Sequence, residues 1–459
     1  MNRAVTSMFD LARAVCRTTT VAVVLLCGAV AFDPIVPGDL IAGAVAQDDK
    51  PKKDKRETRR TPALRNKVYE KLAEAQTLAE AKDYAGAGEI LNGMIAEDGK
   101  RALNSYELAN VYNLFAFLAY ATEDYPQSLR YYQQVIAQPD IPLAMEINTR
   151  FTIAQLYFVQ EQWQQGIEAM LVWFDLNEKP NAGAYVLLAQ GYYQVKRYDL
   201  ALDNVETAIS MHETEGKLPK EQWYNLARFL YFDKEDFDSA LDVLNTLIIY
   251  YPKKQYWVQA SHLYGEKKEE EKQLALMEAA YEQGFLDRSS ELVTMAYLYL
   301  NAEVPYYAGS VIQKGFEDEL VDDKSKNYEL GGSAWAQARE VEKSIPMMEK
   351  AAAKSDEGEL YVRLGNVYLD GDQFSKSADS IIKGLKKGGV KRPDQARLAL
   401  GMAYFNLGDY DEARKAFRAA SKDGASRKAW KRSQEMAQQW IAYVTSEEER
   451  QRELEKDLF

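Results

Sequence analysis

The stretch Leu400–Ala420 reads LGMAYFNLGDYDEARKAFRAA and decides the fold of this chain. Two segments with apolar residues at helical spacing flank Gly408, which an aspartate follows, and that pair is typical of a turn. Gly401 in the first segment and Ala413 in the second are small, so two antiparallel helices can approach closely there. Large side chains such as Phe417 fill the space around the approach. One such hairpin cannot bury its own apolar face, so it predicts neighbours of the same kind.

The pattern recurs along the chain, starting from reference residues that correspond to Gly401. In most copies an aromatic or apolar residue follows the reference residue by nine positions, a small residue by twelve and a large residue by sixteen. The reference residues lie 33 to 41 positions apart, which predicts about ten helical hairpins in near-regular series. They are Ala75, Ala116, Ala154, Ala189, Arg228, Ser261, Ala296, Gly332, Gly365 and Gly401.

The L-G-x-x-Y…A-x-x-x-F-x-x-A spacing within Leu400–Ala420 resembles the tetratricopeptide repeat (TPR). With the recurring copies, the resemblance covers residues 62–425. It implies an all-α fold, a right-handed superhelical solenoid of about ten helix-turn-helix repeats. It also implies a function, since members of this superfamily are mostly scaffolds and peptide-binding adaptors. An unrelated helical bundle with the same period is the alternative.

Composition narrows the class of partner. The net charge of the chain is −13, which argues against nucleic acid as a partner because nucleic-acid binding needs a basic face. An acidic balance favours a soluble protein with neutral or basic partners. The two cysteines, Cys16 and Cys27, both lie near the N-terminus.

Residues 1–46 are interpreted as a signal peptide. Three arginines precede a short apolar run at residues 21–32, which is too short to span a bilayer comfortably. Cleavage after Ala31 and after Ala46 both fit, and Ala46 is preferred because a polar segment begins directly after it. Removal of this segment would leave a mature chain without cysteine, which excludes thiol chemistry and suits export to an oxidising compartment. The alternative is an uncleaved inner-membrane anchor formed by residues 21–32.

Two further segments flank the repeats. Residues 47–61 contain seven basic and four acidic residues and are interpreted as a charged, disordered linker. The linker is a simple spacer or a point of peripheral contact with an anionic surface. Residues 426–459 are interpreted as a C-terminal capping helix with a polar tail, because a solenoid needs a terminal cap. A docking helix for a partner is the alternative.

Catalytic chemistry is not indicated. The two histidines, His212 and His262, are far apart, and no metal-binding spacing or phosphate-binding loop occurs. Pairs of acidic residues on repeat helices usually lie on solvent-exposed faces and have no catalytic role. We therefore expect no enzymatic activity, no cofactor and no metal.

A groove for a protein or peptide partner is the expected site. In a TPR-like superhelix the first helix of each hairpin lines the concave side, at positions −6, −3, +1 and +4 from the reference residue. Aromatic residues there supply contact area, and amides bond a ligand backbone. The alternative is that the aromatics pack against adjacent repeats. The expected groove residues are Asn113, Phe117, Tyr120, Phe151, Gln155, Phe158, Tyr193, Asn225, Phe229 and Phe232.

The groove differs from that of the TPR proteins which clamp acidic C-terminal peptides. Those proteins use basic groove residues, whereas Phe151, Val186 and Asn225 occupy the corresponding positions here. Binding of chaperone-type peptides is therefore not expected.

A closer likeness is to the exported TPR proteins encoded beside TonB–ExbB–ExbD systems in gammaproteobacteria. The chain is similar to them in its N-terminal segment, charged linker, irregular Tyr-rich repeats and the stretch QYWVQASHLYGEKKEEEKQLALMEAAYEQGFL (Gln255–Leu286). The resemblance implies a periplasmic accessory that helps to couple TonB energy to outer-membrane uptake, with TonB-system components as partners. A scaffold for outer-membrane or cell-wall assembly is the alternative.

Overall fold

The computed structural model describes residues 63–422 and 427–457, and over these residues the chain folds into 21 α-helices without a strand. The predicted signal peptide (1–46) and charged linker (47–61) lie outside the described residues. The all-α prediction is confirmed. The helices are α1 (Asn66–Glu80), α2 (Tyr84–Ile95), α3 (Ser105–Ala121), α4 (Tyr125–Ile136), α5 (Leu143–Val159), α6 (Trp163–Leu176), α7 (Ala182–Gln194), α8 (Tyr198–Thr214), α9 (Glu221–Asp233), α10 (Phe237–Tyr250), α11 (Lys254–Glu266), α12 (Glu270–Glu282), α13 (Ser289–Asn301), α14 (Pro305–Glu317), α15 (Ser325–Gln337), α16 (Val341–Ala353), α17 (Glu359–Asp370), α18 (Phe374–Lys387), α19 (Pro393–Asn406), α20 (Tyr410–Ala420) and α21 (Arg427–Asp457).

Consecutive helices pair as hairpins, from α1 with α2 to α19 with α20, and α21 follows the last of them. The chain divides into two compact units between Leu218 and Pro219. The first unit contains the four hairpins of α1–α8. The second contains the six hairpins of α9–α20 together with α21. The predicted solenoid of ten hairpins is therefore confirmed.

The turn inside each hairpin repeats one backbone geometry. The seventh residue after each of the ten reference residues has a positive φ, which ends the first helix in the left-handed region. Only Gly408 among them is a glycine. The next residue is an aspartate in several hairpins, and its carboxylate caps the second helix, as Asp409 does by accepting from the backbone N–H of Glu412 at 3.2 Å. The residues at the seventh position are Lys82, Glu123, Glu161, Lys196, Glu235, Lys268, Glu303, Arg339, Asp372 and Gly408.

Small residues let the two helices of a hairpin touch. A Cβ added at Gly401 would lie 2.5 Å from the ring of Phe417, which is sixteen positions later and fully buried. Gly365 stands in the same relation to Ile381. The predicted contact between positions 0 and +16 is therefore present, and it confirms the register of the repeats.

Serines at position +12 add a bond across the same contact. The hydroxyls of Ser344 and Ser377 donate to the backbone carbonyls of Gly332 and Gly365, each at 2.7 Å. Both serines are fully buried, so these bonds satisfy polar groups that water cannot reach. A small polar residue at +12 thus fills the space and fastens the two helices together.

Tyrosines at position +3 connect neighbouring hairpins. The Tyr299 hydroxyl donates to the Glu278 carboxylate at 2.9 Å, and Tyr368 donates to Glu349 in the same way. Each glutamate lies on the second helix of the preceding hairpin. Burial, reinforced by the glutamate, raises the pKa of both tyrosines well above the ordinary value, so the hydroxyls stay protonated as donors.

The helix α21 packs on the last hairpin. Trp440 stacks on Phe417 with 5.5 Å between ring centroids, and Val444 is fully buried beside them. The apolar end of the second unit is thereby covered. Over the described residues, none of the helices combines the length and apolarity that a membrane crossing requires.

Candidate protein-interaction surface

Three of the expected groove residues lie on α3 and are half-buried. Phe117 packs against the apolar cluster of the first hairpin. Tyr120 lies with its ring centroid 5.6 Å from that of Tyr125, at the start of α4. Within the described residues, the side-chain amide of Asn113 makes no hydrogen bond, so it remains available to a partner.

Helix α5 divides its expected groove residues between surface and core. Phe151 is half-buried and lies 4.9 Å, between ring centroids, from Trp173 on α6. Gln155 is also half-buried, and its amide bonds to no other described residue. Gln190 on α7 occupies the position equivalent to Gln155. Its side-chain amide likewise makes no hydrogen bond within the described part of the chain.

Phe158 does not face a groove, which corrects the expectation for this residue. Its side chain is 7 % exposed and belongs to the core formed with Met170 and Leu188. The ring lies against Gly166 and Gly191, where an added Cβ would come within 2.5 Å and 2.7 Å of it. Two glycines make room for the ring, because a larger side chain at either position would occupy the same space.

Aromatic residues at position +4 share a structural role. Tyr193 lies 5.7 Å from Tyr198 between ring centroids, and Phe232 lies 6.4 Å from Phe237. In each case the partner is at +9, the first residue of the second helix. These pairs, like Tyr120 with Tyr125, fasten the hairpin across its turn. The recurrence of aromatics at both +4 and +9 was the signal in the sequence that could have shown this pairing.

Asn225 on α9 is engaged within the protein. Its amide donates to the hydroxyl of Tyr256 at 3.0 Å, and its oxygen accepts from Arg228 at 3.2 Å. Arg228 also donates to Gln259 on α11 and lies 5.7 Å from the ring centroid of Tyr256. An arginine occupies the reference position here, where nine other hairpins have alanine, glycine or serine. Its side chain bridges α9 and α11.

The same network contains an acid with a lowered pKa. Tyr256 donates to Glu221 at 2.5 Å, and Lys253 donates to it at 2.7 Å. Burial alone would raise the pKa of Glu221, but the hydrogen bonds from Lys253 and Tyr256 outweigh it and hold that pKa below the ordinary value. Glu221 therefore stays ionised near neutral pH and orients Tyr256.

Phe229, one turn of helix after Asn225, is half-buried beside this network. The positions −3 and +1 thus differ between hairpins. On α3, α5 and α7 they carry amides that are unbonded within the described residues, whereas Asn225 on α9 is already bonded. We call Asn113, Gln155 and Gln190 the open amides.

The described side chains give no sign of a metal site. Among residues 63–422 and 427–457, no group of three or more His, Cys, Asp or Glu is arranged to hold a metal ion. His212 and His262 lie on α8 and α11, in different units. The prediction that the chain lacks metal and cofactor stays a prediction.

Comparison with known proteins gives a tetratricopeptide repeat family that matches residues 362–427. This range includes the stretch Leu400–Ala420. No curated protein matches the chain. The family match and the ten hairpins in register agree on the fold.

Several solved structures are similar to parts of the chain. A crystal structure of MamA protein is 20% identical, covers 37% of this chain and 90% of its own, and has a TM-score of 0.33. A crystal structure of YrrB, described as a TPR protein with an unusual peptide-binding site, is 16% identical, covers 38% and 85%, and has a TM-score of 0.31. A structure of Naa15/Naa10 bound to HypK-THB is 11% identical, covers 80% and 65%, and has a TM-score of 0.40.

Proposed function

We propose that this chain is a non-enzymatic protein-interaction scaffold that binds an extended segment of a partner along the first helices of its hairpins. The observation that carries the proposal is the set of open amides on α3, α5 and α7. An amide can donate to and accept from the backbone of a bound segment. Three such groups, on successive first helices and without intramolecular partners in the described chain, are suited to a backbone that runs past them.

Neighbouring aromatics supply the contact area. Phe117 and Phe151 lie one helical turn from an open amide each, Asn113 and Gln155, on the same side of their helices. Each phenylalanine is half-buried, so part of the ring remains accessible. Aromatic surface beside amides can bind a peptide backbone without requiring charged residues in the peptide.

The proposal extends to the cellular role. The N-terminal segment is interpreted from its sequence as a signal peptide, and the stretch Gln255–Leu286 resembles TPR proteins encoded beside TonB–ExbB–ExbD systems. These features support a periplasmic accessory of a TonB-dependent energy-transduction and uptake system. Components of the TonB system would then be its partners.

A second role is a scaffold for outer-membrane or cell-wall assembly. The charged segment 47–61 favours it, because seven basic residues can contact anionic lipid or polymer of the envelope. Residues 21–32, if retained as an anchor, would place the same scaffold at the inner membrane.

Deletion and complementation test these roles. Loss of the protein should impair growth on a chelated iron source if it serves TonB-dependent uptake, and cause envelope leakage with normal iron uptake if it serves assembly. Unchanged growth and an intact envelope would contradict both.

Complementation with altered amides tests the surface itself. The triple variant Asn113→Ala, Gln155→Ala, Gln190→Ala should fail to restore the phenotype while folding normally. The matched control replaces three exposed amides of second helices, Gln134, Gln165 and Asn245, by alanine and should restore it. Equal complementation by both variants would contradict the role of the open amides.

A further inference from the structure

A basic helix face stands out on this acidic protein. Residues 374–392 contain six basic residues and one acidic residue, whereas the whole chain carries a net charge of −13. Lys376, Lys383, Lys386 and Lys387 all lie on α18 and are all exposed. We call these four residues the lysine face. They span eleven positions, or about 16 Å along the helix.

The lysine face is not neutralised by ion pairs. Nearby cations have carboxylate partners, such as Lys354 with Asp323 at 2.7 Å and Arg363 with Glu329 at 2.6 Å. Over the described residues, none of the four lysines of the face forms an ion pair. Several cations near this face are thus paired, whereas its four lysines are not.

Tyrosines position the ammonium groups instead of carboxylates. Lys383 lies 4.4 Å and Lys387 5.6 Å from the ring centroid of Tyr361, and Lys376 lies 5.5 Å from that of Tyr368. A ring face attracts a cation without cancelling its charge. The Lys387 ammonium also donates to the carbonyl of Ser355 at 2.6 Å. The charges are held at the surface and remain available.

The acids around this face are fewer than its lysines. Asp379 lies on α18 itself and is exposed. Glu349 accepts from the Tyr368 hydroxyl, and the exposed Glu357 lies near Gly389 just beyond the helix. The face therefore keeps a net positive charge.

We propose that the lysine face of α18 docks the protein onto an anionic lipid surface. Lysines spread over three turns of one helix suit phosphate groups that are dispersed in a plane, whereas recognition of a single carboxylate or phosphate favours the fork of an arginine. Ile382, which is 41 % exposed beside Lys383, offers apolar contact at the headgroup boundary. The lysine face shares no residue with the open amides.

Vesicle flotation with the full chain tests the proposal. Vesicles of phosphatidylcholine with about one-third phosphatidylglycerol should bind the protein at low salt, and binding should fall as salt rises. The variant Lys383→Gln, Lys386→Gln, Lys387→Gln should bind roughly 100-fold more weakly, since each lysine near an anionic surface contributes about a fivefold factor. The variant with glutamate at the same three positions should lose more, because the new carboxylates are repelled by the anionic surface.

The matched control places the same three charge reversals elsewhere, at the exposed residues Lys67, Lys100 and Lys179 of the first unit. It should bind like the wild type, and circular dichroism should show all variants folded. Equal binding by the lysine-face and control variants would overturn the proposal, since retention would then come from another segment. Binding to pure phosphatidylcholine, no binding at all, or α18-dependent binding to polyglutamate without binding to vesicles would overturn it as well.

Discussion

At the scale of single residues, the contact between Gly401 and Phe417 tests the register. Leucine at position 401 would have to displace the Phe417 ring, which is fully buried. We expect Gly401→Leu to lower the free energy of unfolding by about 1–3 kcal/mol, the usual cost of overpacking. The measurement is urea denaturation followed by circular dichroism.

Gly93 provides the control for that substitution. It lies in α2, is exposed, and has no atom within 4 Å of an added Cβ. Gly93→Leu should therefore be neutral or stabilising, because leucine is the better helix former. Similar losses at Gly93 and Gly401 would mean that the close approach at position 401 is absent.

Phe158 gives the second prediction at this scale. Because its ring fills a space made by Gly166 and Gly191, Phe158→Ala should leave a cavity and cost about 3–5 kcal/mol in the free energy of unfolding. Gln155→Ala, three positions earlier on α5, should change that free energy by less than about 0.5 kcal/mol. Chemical denaturation of both variants makes the comparison. An unchanged free energy of unfolding for Phe158→Ala would contradict the burial of Phe158 in the core.

The residues show why the site was harder to predict than the fold. Small residues at positions 0 and +12 are distinctive, so the register of Gly401 and Gly365 could be read directly. An aromatic at +4 has the same spacing whether it points to solvent or to core, so nothing in the sequence separated Phe158 from Tyr193. The engagement of Asn225 depends on Tyr256, 31 positions later, and no local pattern announces it.

At the scale of elements, the hairpin turns could also be predicted only in part from the sequence. The sequence predicts a turn at Gly408, but nine other hairpins place a charged residue in the same left-handed conformation. Gly408→Ala should cost about 1 kcal/mol in the free energy of unfolding, because alanine meets the penalty of φ +77°. Lys196→Ala, at φ +59° in the wild type, should cost little, since that penalty is already present.

Thermal unfolding of Gly408→Ala and Lys196→Ala provides the test. A loss of equal size in both would show that the side chain of Lys196, and not the backbone conformation, supports its turn. No loss in either would contradict the left-handed turn as the common geometry of the hairpins.

A hydrogen bond that depends on pH connects the last helix, α21, to α19. Asp394 on α19 is fully buried and accepts from Arg392 at 2.6 Å and from the Ser433 hydroxyl on α21 at 2.5 Å. The hydrogen bond from Arg392, aided by Ser433, lowers the pKa of Asp394 from 3.8 to about 2. The carboxylate therefore contributes stability that is complete above pH 4 and is lost as the pH falls from about 4 to 2.

The variant Asp394→Asn tests this contribution. Its free energy of unfolding should be lower than that of the wild type by about 2 kcal/mol at pH 7, and the difference should shrink below pH 4. Asp379→Asn on the exposed side of α18 is the control and should show little difference at any pH. A constant difference for Asp394→Asn between pH 7 and pH 3 would contradict the role of the charged form.

At the scale of the whole molecule, structure and binding are assigned to different surfaces. The reference residues and the serines at +12 hold each hairpin, the tyrosines at +3 join neighbouring hairpins, and α21 covers the last one. The open amides of α3, α5 and α7 take no part in these contacts. Because folding does not require the open amides, they are available to bind a partner.

Site-specific photo-crosslinking in cells tests that claim most directly. Crosslinkers at Gln155 and Gln190 should capture a distinct partner protein, and the same crosslinker at buried Phe158 should not. Capture of TonB, ExbD or a TonB-dependent receptor would support the uptake role, and capture of envelope-assembly factors would support the alternative. Absence of any partner from Gln155 and Gln190, or the same products from Phe158, would contradict the account.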